Sequence, residues 1–343
     1  MTKNAILLIP DIISMKYALE SGLKKRGYEL TSIDYRQVVK KNKLILKIYT
    51  VVHRKNKFKK QQQQVNEYFI KEYKRKNPDF VFIYNDETVL PSTIDYFKRN
   101  SKVIILLGDN PLTLNPQNIY NVSILFQADL VVCADSSWKN QLERIGLNNI
   151  IYDYLVYCPS VSFLKGDLSY KNRDKDILFI GRNYGSAWGY KRSLFLNEFT
   201  DFNIDIYGTG THWGKWENDF PKIKEKLINT SHLSLNKYTE LMHAYKIFPV
   251  DANPGIINGI HLRVFECISS GILPLIEYTK DIDLVFNGVP LPLIHNFSDS
   301  KQIASQYLKD DNGRIKILKD AKEFLNDNYS PEIVMRRLLN HIQ

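Results

Sequence analysis

Short apolar runs alternate with longer stretches that carry apolar residues on one helical face only. In the first half, Ala5–Ile9, Leu30–Asp34, Phe80–Tyr84, Val103–Leu107, Leu130–Ala134 and Ile151–Leu155 read as strands. The segments between them, Ser14–Arg26, Gln61–Arg75, Pro91–Arg99, Ile119–Gln127 and Ser136–Ile145, read as helices, with Gly27 and Gly146 as stops. Residues 158–176 hold Pro159, Gly166 and mixed charge, and read as a crossing between domains. A second alternation follows. Its strands are Ile177–Ile180, Ile204–Tyr207, Ile247–Val250, Leu273–Ile276 and Leu291–Ile294. Its helices are Lys191–Phe199, Tyr238–Tyr245, Leu262–Ser269, Ile303–Leu308, Arg314–Leu325 and Glu332–Ile342, the last opened by Pro331. Strand–helix alternation of this kind predicts parallel sheets covered by helices on both faces. The expected organisation is a first domain over 1–160, a second over 174–328, and a terminal helix over 329–343 that packs back on the first domain.

At 343 residues the chain is long enough for two such domains, each with its own core. Three cysteines, Cys133, Cys158 and Cys267, lie far apart and without metal-ligand spacing, so a reducing, cytoplasmic compartment is expected. The apolar run near the N-terminus is too short for a signal peptide, and no segment approaches the ~20 apolar residues of a membrane span. The net charge of +10 is uneven: Lys40–Lys76 holds thirteen Lys or Arg against Glu67 and Glu72, with aromatic residues interleaved. Such a stretch suits an anionic membrane surface or an anionic acceptor, and equally a solvated face or nucleic-acid phosphates.

Ligands of open parallel sheets bind beyond the carboxyl ends of the strands, so residues that follow strands are the candidates. Gly181 and Arg182 follow Ile177–Ile180; the glycine lets the chain turn and the arginine can clamp a phosphate. Lys191 and Arg192 fall at the predicted start of the next helix, where amide ends also favour anions. Gly208 and Thr209 follow Ile204–Tyr207, with Trp213 and Trp216 nearby to stack on a base or cover a sugar. Asn253–Gly259 is a glycine-rich turn that leads through His261 into a helix carrying Arg263 and Glu266 on one face and stopped by Gly271. A carboxylate in that position is suited to hold a ribose; the alternative is a surface ion pair. In the first half Asp11, Asp86 with Glu87, and Asp109 follow strands, and each can serve as a general base on an acceptor hydroxyl or as a helix cap. No Walker loop and no Gly-x-Gly-x-x-Gly follows the first strand, which argues against an NTPase or an NAD enzyme.

From Asp176 to about Leu325 the chain resembles the GT-B glycosyltransferases, specifically the CgeB-like group with a group-1-type C-terminal domain. The resemblance is carried by Gly181-Arg182, Tyr207-Gly208, Tyr238–Val250, and Arg263-Val264-Phe265-Glu266 through Gly271 to Pro274. In the first half it is looser and rests on Asn77-Pro78-Asp79-Phe80-Val81 and Gly108-Asp109. It implies two Rossmann-like α/β domains facing across a cleft, a nucleotide-sugar donor on the second and an acceptor on the first. By the resemblance Glu266 holds the donor ribose and Arg182 the diphosphate. Many retaining members carry a glutamate eight positions before the ribose carboxylate; here that residue is Asn258. The chain is therefore expected to be a cytoplasmic glycosyltransferase, at the inner face of the membrane, that moves a sugar to a hydroxyl of a glycan or lipid-linked surface-polysaccharide precursor. The expected donor-binding set is Gly181, Arg182, Lys191, Gly208, Thr209, Asn258, Gly259, His261, Arg263 and Glu266. No cofactor and no metal are required, because no Asp-x-Asp triplet occurs and protein cations can stabilise the leaving diphosphate. The rivals are a nucleic-acid-binding or DNA-modifying transferase that uses the basic 40–76 stretch, and a catalytically inactive GT-B scaffold that only binds glycan.

Overall fold

The computed structural model describes residues 3–10, 13–34, 57–84, 88–112, 120–154, 173–231, 233–253 and 255–342. Asp11, Asp86, Glu87, Cys158, Pro254, residues 155–172 and the basic stretch up to residue 56 lie outside the described residues. The chain divides into two compact units, Met1–Val156 with Pro331–Gln343, and Tyr157–Ser330. Each is built on a six-stranded, wholly parallel sheet with helices between the strands.

The first unit runs β1 (Lys3–Leu8), α1 (Ile13–Lys24), β2 (Tyr28–Ile33), α2 (Lys57–Lys76), β3 (Phe80–Tyr84), α3 (Pro91–Phe97), β4 (Lys102–Leu107), α4 (Ser123–Gln127), β5 (Leu130–Cys133), α5 (Ser136–Arg144) and β6 (Ile150–Tyr152). The strand order is β2-β1-β3-β4-β5-β6. Central strands β4 and β5 are buried along nearly their whole length, as the uninterrupted Val/Ile/Leu runs require of strands covered on both faces. The edge strand β2 alternates and is half-exposed. The terminal helix, Pro331–Asn340, belongs to this unit and lies against α1. It buries Val334, Met335, Leu338 and Leu339, and Arg337 donates to both oxygens of the buried Asp153 at 2.7 and 2.9 Å.

Helix α2 begins four residues before the predicted start at Gln61. Its glutamine run is not wholly solvated. Gln62 and Asn66 are buried beside Val65, Phe69 and Tyr73. Asn66 donates to the Gln62 and Thr88 carbonyls at 2.6 and 2.8 Å and accepts from Leu90 and Thr93 at 3.0 and 2.6 Å. One face of this basic helix is therefore core, and its Lys59, Lys71 and Lys74 are left to solvent.

The second unit runs β7 (Lys175–Ile180), α6 (Ala187–Asn197), β8 (Ile204–Gly208), α7 (Gly210–Trp213), α8 (Pro221–Lys226), β9 (Leu227–Asn229), α9 (Leu235–Ala244), β10 (Tyr245–Val250), α10 (Leu262–Ser270), β11 (Leu273–Glu277), α11 (Asp281–Val285), β12 (Leu293–Ile294), α12 (Ser300–Lys309) and α13 (Asp311–Tyr329). The order β12-β11-β10-β7-β8-β9 reverses direction between β7 and β10, the switch point at which such sheets bind ligands. The sequence pattern missed α7, α8, β9 and α11. All four are short: β9 is a three-residue edge strand and α8 is six residues, mostly lysine and glutamate, too few to show a period. Among the described residues no helix is long and apolar enough to cross a membrane.

Candidate functional site

Helix α10 is the best-buried helix of the second unit. Val264–Ser270 are all buried, the polar Glu266, Ser269 and Ser270 among them. Gly271 ends it at φ 73°, its N–H bonding back to Ile268 and that of Ile272 to Cys267. One buried arginine braces it from below. Arg173 donates to the Met242 carbonyl at 2.8 Å, to that of Tyr245 at 2.5 Å, and to that of Ser270. A single guanidinium thus caps the carboxyl ends of both α9 and α10.

At the other end of α10, His261 is the N-cap and accepts from the Arg263 N–H through Nδ1 at 3.0 Å. Burial, and then the neighbouring Arg263 and Arg192 cations, push the ring down to about 3, so it stays neutral. One turn on, Arg263 meets Glu266 at 2.8 Å. The Tyr238 hydroxyl from α9 donates to the same Glu266 oxygen at 2.9 Å and accepts from Arg263. Burial pushes the Tyr238 phenol well above its ordinary value; Arg263 opposes this and Glu266 adds to it. The Arg263 guanidinium also lies over the Tyr238 and Phe248 rings, 5.3 and 5.5 Å from their centroids. Glu266 is only 8% exposed and is held by these two partners.

The loop after β7 faces this cluster. A cavity of about 260 Å³ is lined by Gly181, Arg182, Tyr207, Gly208, Tyr238 and Arg263, with Thr209 and Ser231 at its edge. A second, of about 110 Å³, lies at the switch point between β7 and β10 and is lined by Gly181, Tyr184, Arg192, Asp251, His261 and Arg263. The structure therefore brings together Gly181, Arg182, Gly208, Thr209, His261 and Arg263 around adjoining cavities. Glu266 sits directly behind Arg263 and Tyr238. Asn258 and Gly259 line neither cavity, and the Asn258 carbonyl accepts from the Asp281 N–H at 2.9 Å. The Arg182 side chain is exposed.

Four residues are placed otherwise than the pattern predicts. Helix α6 starts at Ala187, so Lys191 and Arg192 stand in its second turn and not at its amide end. Lys191 pairs with Glu277 at 2.6 Å, and Glu277 also accepts from the Ala252 N–H at 2.8 Å. Arg192 is buried against Asp251 at 2.8 Å and donates to the Arg182 carbonyl at 2.5 Å. Trp213 is buried and Trp216 half-buried, each in an edge-to-face contact with a neighbouring ring, Phe179 and Tyr190 respectively, and neither lines the cavities beside Arg263. Tyr238, Asp251 and Glu277 were not singled out in the sequence. A signal existed for two of them, since Asp251 and Glu277 stand at the ends of strands β10 and β11. In the first unit, Asp109 follows β4 beside Tyr84, whose phenol is pushed up by burial and then by Asp109. Among the described residues no group of three or more His, Cys, Asp or Glu is placed to hold a metal ion.

The comparisons with known proteins bear on this arrangement. Residues 191–340 match a family model described as "Glycosyl transferase-like". The match covers less than half of the chain; the two parallel six-stranded sheets, and the solved structures that resemble them, give the chain the GT-B fold. No curated protein sequence matches it. TarM superposes with a TM-score of 0.59 at 13% identity over 77% of this chain, and the match spans 54% of TarM. An E. coli trehalose-6-phosphate structure bound with UDP-2-fluoro glucose gives 0.63 at 10% identity over 99% of both chains. A Listeria monocytogenes protein assigned as a UDP-N-acetylglucosamine 2-epimerase gives 0.59 at 12% identity over 100% of this chain and 96% of its own. At these identities the structures share a fold, and that fold serves more than one reaction.

Proposed function

We propose that the chain transfers a sugar from a nucleotide-sugar donor, bound by the second unit, to a hydroxyl of a glycan or lipid-linked surface-polysaccharide precursor. The observation that carries this is the grouping of Arg182, Tyr238 and Arg263 around a cavity beyond the carboxyl ends of β7 and β8, with Glu266 bonded to Tyr238 and Arg263 behind it. The exposed Arg182 guanidinium suits a diphosphate, and the Glu266 carboxylate suits the paired hydroxyls of a ribose. A ribose that reaches Glu266 shares it with Tyr238, which remains protonated and able to donate. In support, the E. coli neighbour was solved with UDP-2-fluoro glucose, and S. aureus TarM with UDP and alpha-GlcNAc-glycerol.

Catalysis in this reading comes from holding donor and acceptor in line and from protein cations beside the departing diphosphate. Arg182 and Arg263 supply that charge, so no metal is needed. Asp109 is the described candidate for a base on the acceptor hydroxyl. The resemblance to CgeB-like enzymes rests on Gly181-Arg182, Tyr207-Gly208, Tyr238–Val250 and the stretch from Arg263 to Pro274, and the exposed lysines of α2 support contact with an anionic membrane surface that presents the acceptor.

Calorimetric titration with UDP, GDP, dTDP and CMP tests the donor site. One of them should bind, and Glu266→Ala should weaken it about 10- to 100-fold, as expected when hydrogen bonds to a charged group are lost. Absence of binding by all four nucleotides, or an unchanged affinity in the variant, removes the proposal.

A further inference from the structure

The short elements between β8 and β9 leave another cavity in the second unit. It measures about 180 Å³ and is walled by Trp213, Trp216, Phe220, Ile223 and Leu227. It shares no lining residue with the two cavities beside Arg263. Its aromatic walls are held from behind. Phe179 meets Trp213 edge-to-face, with centroids 6.0 Å apart. The half-exposed Tyr190 of α6 does the same to Trp216 and Phe220, at 5.4 and 5.1 Å. Rings in such contacts keep a defined orientation, so the space is pre-formed. Gly214 and Lys224 also line it and are exposed, which gives it an entrance.

The polar side chains of the lining are committed elsewhere. Trp213 Nε1 donates to the Gly181 carbonyl at 3.2 Å, and Trp216 Nε1 to that of Tyr184 at 3.0 Å. Ser193 Oγ accepts from the Asn183 side-chain amide at 2.9 Å. Glu217 and Lys224 pair with each other at 3.1 Å, with their side chains 40% and 64% exposed. A trapped water needs two to four polar partners, and a desolvated charge needs a partner of opposite sign. This lining is poor in both. An apolar cavity of about 150 Å³ stays dry and takes up benzene, so a slightly larger one has room for one or two fused rings.

We propose that this cavity is a binding site for a neutral, flat apolar group of one or two rings, separate from the donor cavity. Trp213, Trp216 and Phe220 offer ring edges and faces to such a group, and Ile223 and Leu227 close round it by dispersion. The two tryptophans thus do carry an aromatic surface for a ligand, but on this side of the unit and not beside Arg263. The proposal does not rest on the donor-site reading above and stands or falls without it.

The test uses the full chain, titrated with indole and toluene as neutral probes and with benzoate and benzylammonium as charged ones. It is read from the 15N-labelled indole N–H signals of the four tryptophans. Indole should bind with a Kd on the order of 0.1–1 mM, as suits a ligand of about nine heavy atoms. Both neutral probes should move the Trp213 and Trp216 signals and leave Trp138 of the first unit unmoved. The charged probes should bind about 10-fold more weakly or worse. Leu227→Phe adds volume to the wall and should weaken indole and toluene by about 10-fold or more. If that variant does not fold, Gly214→Phe carries the test. Gly214 has right-handed backbone at φ −60°, and an added Cβ there meets nothing nearer than Glu217 at 4.0 Å. Failure of both neutral probes to bind up to their solubility limits overturns the proposal. So does binding that leaves Trp213 and Trp216 unmoved, or that persists unweakened in the folded variants, because the ligand then sits elsewhere. Charged probes that bind there as tightly as toluene overturn the assigned ligand class.

Discussion

Replacing Asp251 by alanine removes the partner of a buried cation. The Arg192 and Asp251 side chains are 7% and 8% exposed and meet at 2.8 Å. With the carboxylate gone, Arg192 keeps the Arg182 carbonyl and the faces of Tyr184 and Phe179, 4.9 and 5.5 Å from its guanidinium carbon. Breaking a buried pair by removing one partner costs roughly 3–5 kcal/mol, because an uncompensated charge is left without water. The remaining partners place this case near the lower end, about 3 kcal/mol. For a unit the size of Tyr157–Ser330 each kcal/mol corresponds to roughly 2–4 °C, so the midpoint should fall by about 6–12 °C. Tryptophan fluorescence reports this unit preferentially, since three of the four tryptophans, Trp188, Trp213 and Trp216, lie within it. The companion Arg192→Met/Asp251→Leu variant leaves no buried charge and should recover most of the loss. A single variant within about 2 °C of the wild type would refute the reasoning. So would a double variant as unstable as the single one, because the damage would then come from lost packing and not from an orphaned charge.

Two further outcomes follow from the same kind of accounting. His261 stays neutral in the folded chain down to about 3, whereas the unfolded ring takes a proton near its ordinary 6.5; between these values the unfolded state binds more protons, so stability should fall as the pH falls, by at most about 1.4 kcal/mol per pH unit. Urea denaturation between pH 7 and 5, above the range of most carboxylates, should show that slope, and His261→Asn, which keeps an N-cap, should flatten it; equal slopes in both proteins would refute it. Gly22→Ala would normally favour helix α1 by up to about 1 kcal/mol, but here the added Cβ would lie 2.5 Å from the Pro331 carbonyl of the terminal helix. Chemical denaturation should therefore show a loss of about 1–3 kcal/mol, and a gain in stability would show that the helix is not seated on α1.

The alternation of apolar runs and amphipathic stretches determined by itself that two parallel α/β sheets would form. Phe80–Tyr84, Val103–Leu107 and Leu130–Ala134 are too short for buried helices and too continuous for half-exposed strands. The residues that follow those strands were legible for the same reason, since sheet topology carries them to one edge. Arg182, Gly208, Arg263 and Glu266 needed only their position after a strand or on a helix face to be noticed. What each side chain does there was decided by tertiary packing. Lys191 and Arg192 look alike in sequence as cations after a glycine-rich turn. In the fold Glu277 at the end of β11 takes the first, and Asp251 at the end of β10 buries the second. Trp213 and Trp216 look like a stacking platform, yet their indole N–H groups find carbonyls of a loop some thirty residues earlier in the chain. Hydrogen bonds and ion pairs of this kind join residues whose separation in sequence has no period. Local pattern therefore fixes where the strands and helices lie, and only the packed structure assigns the partners.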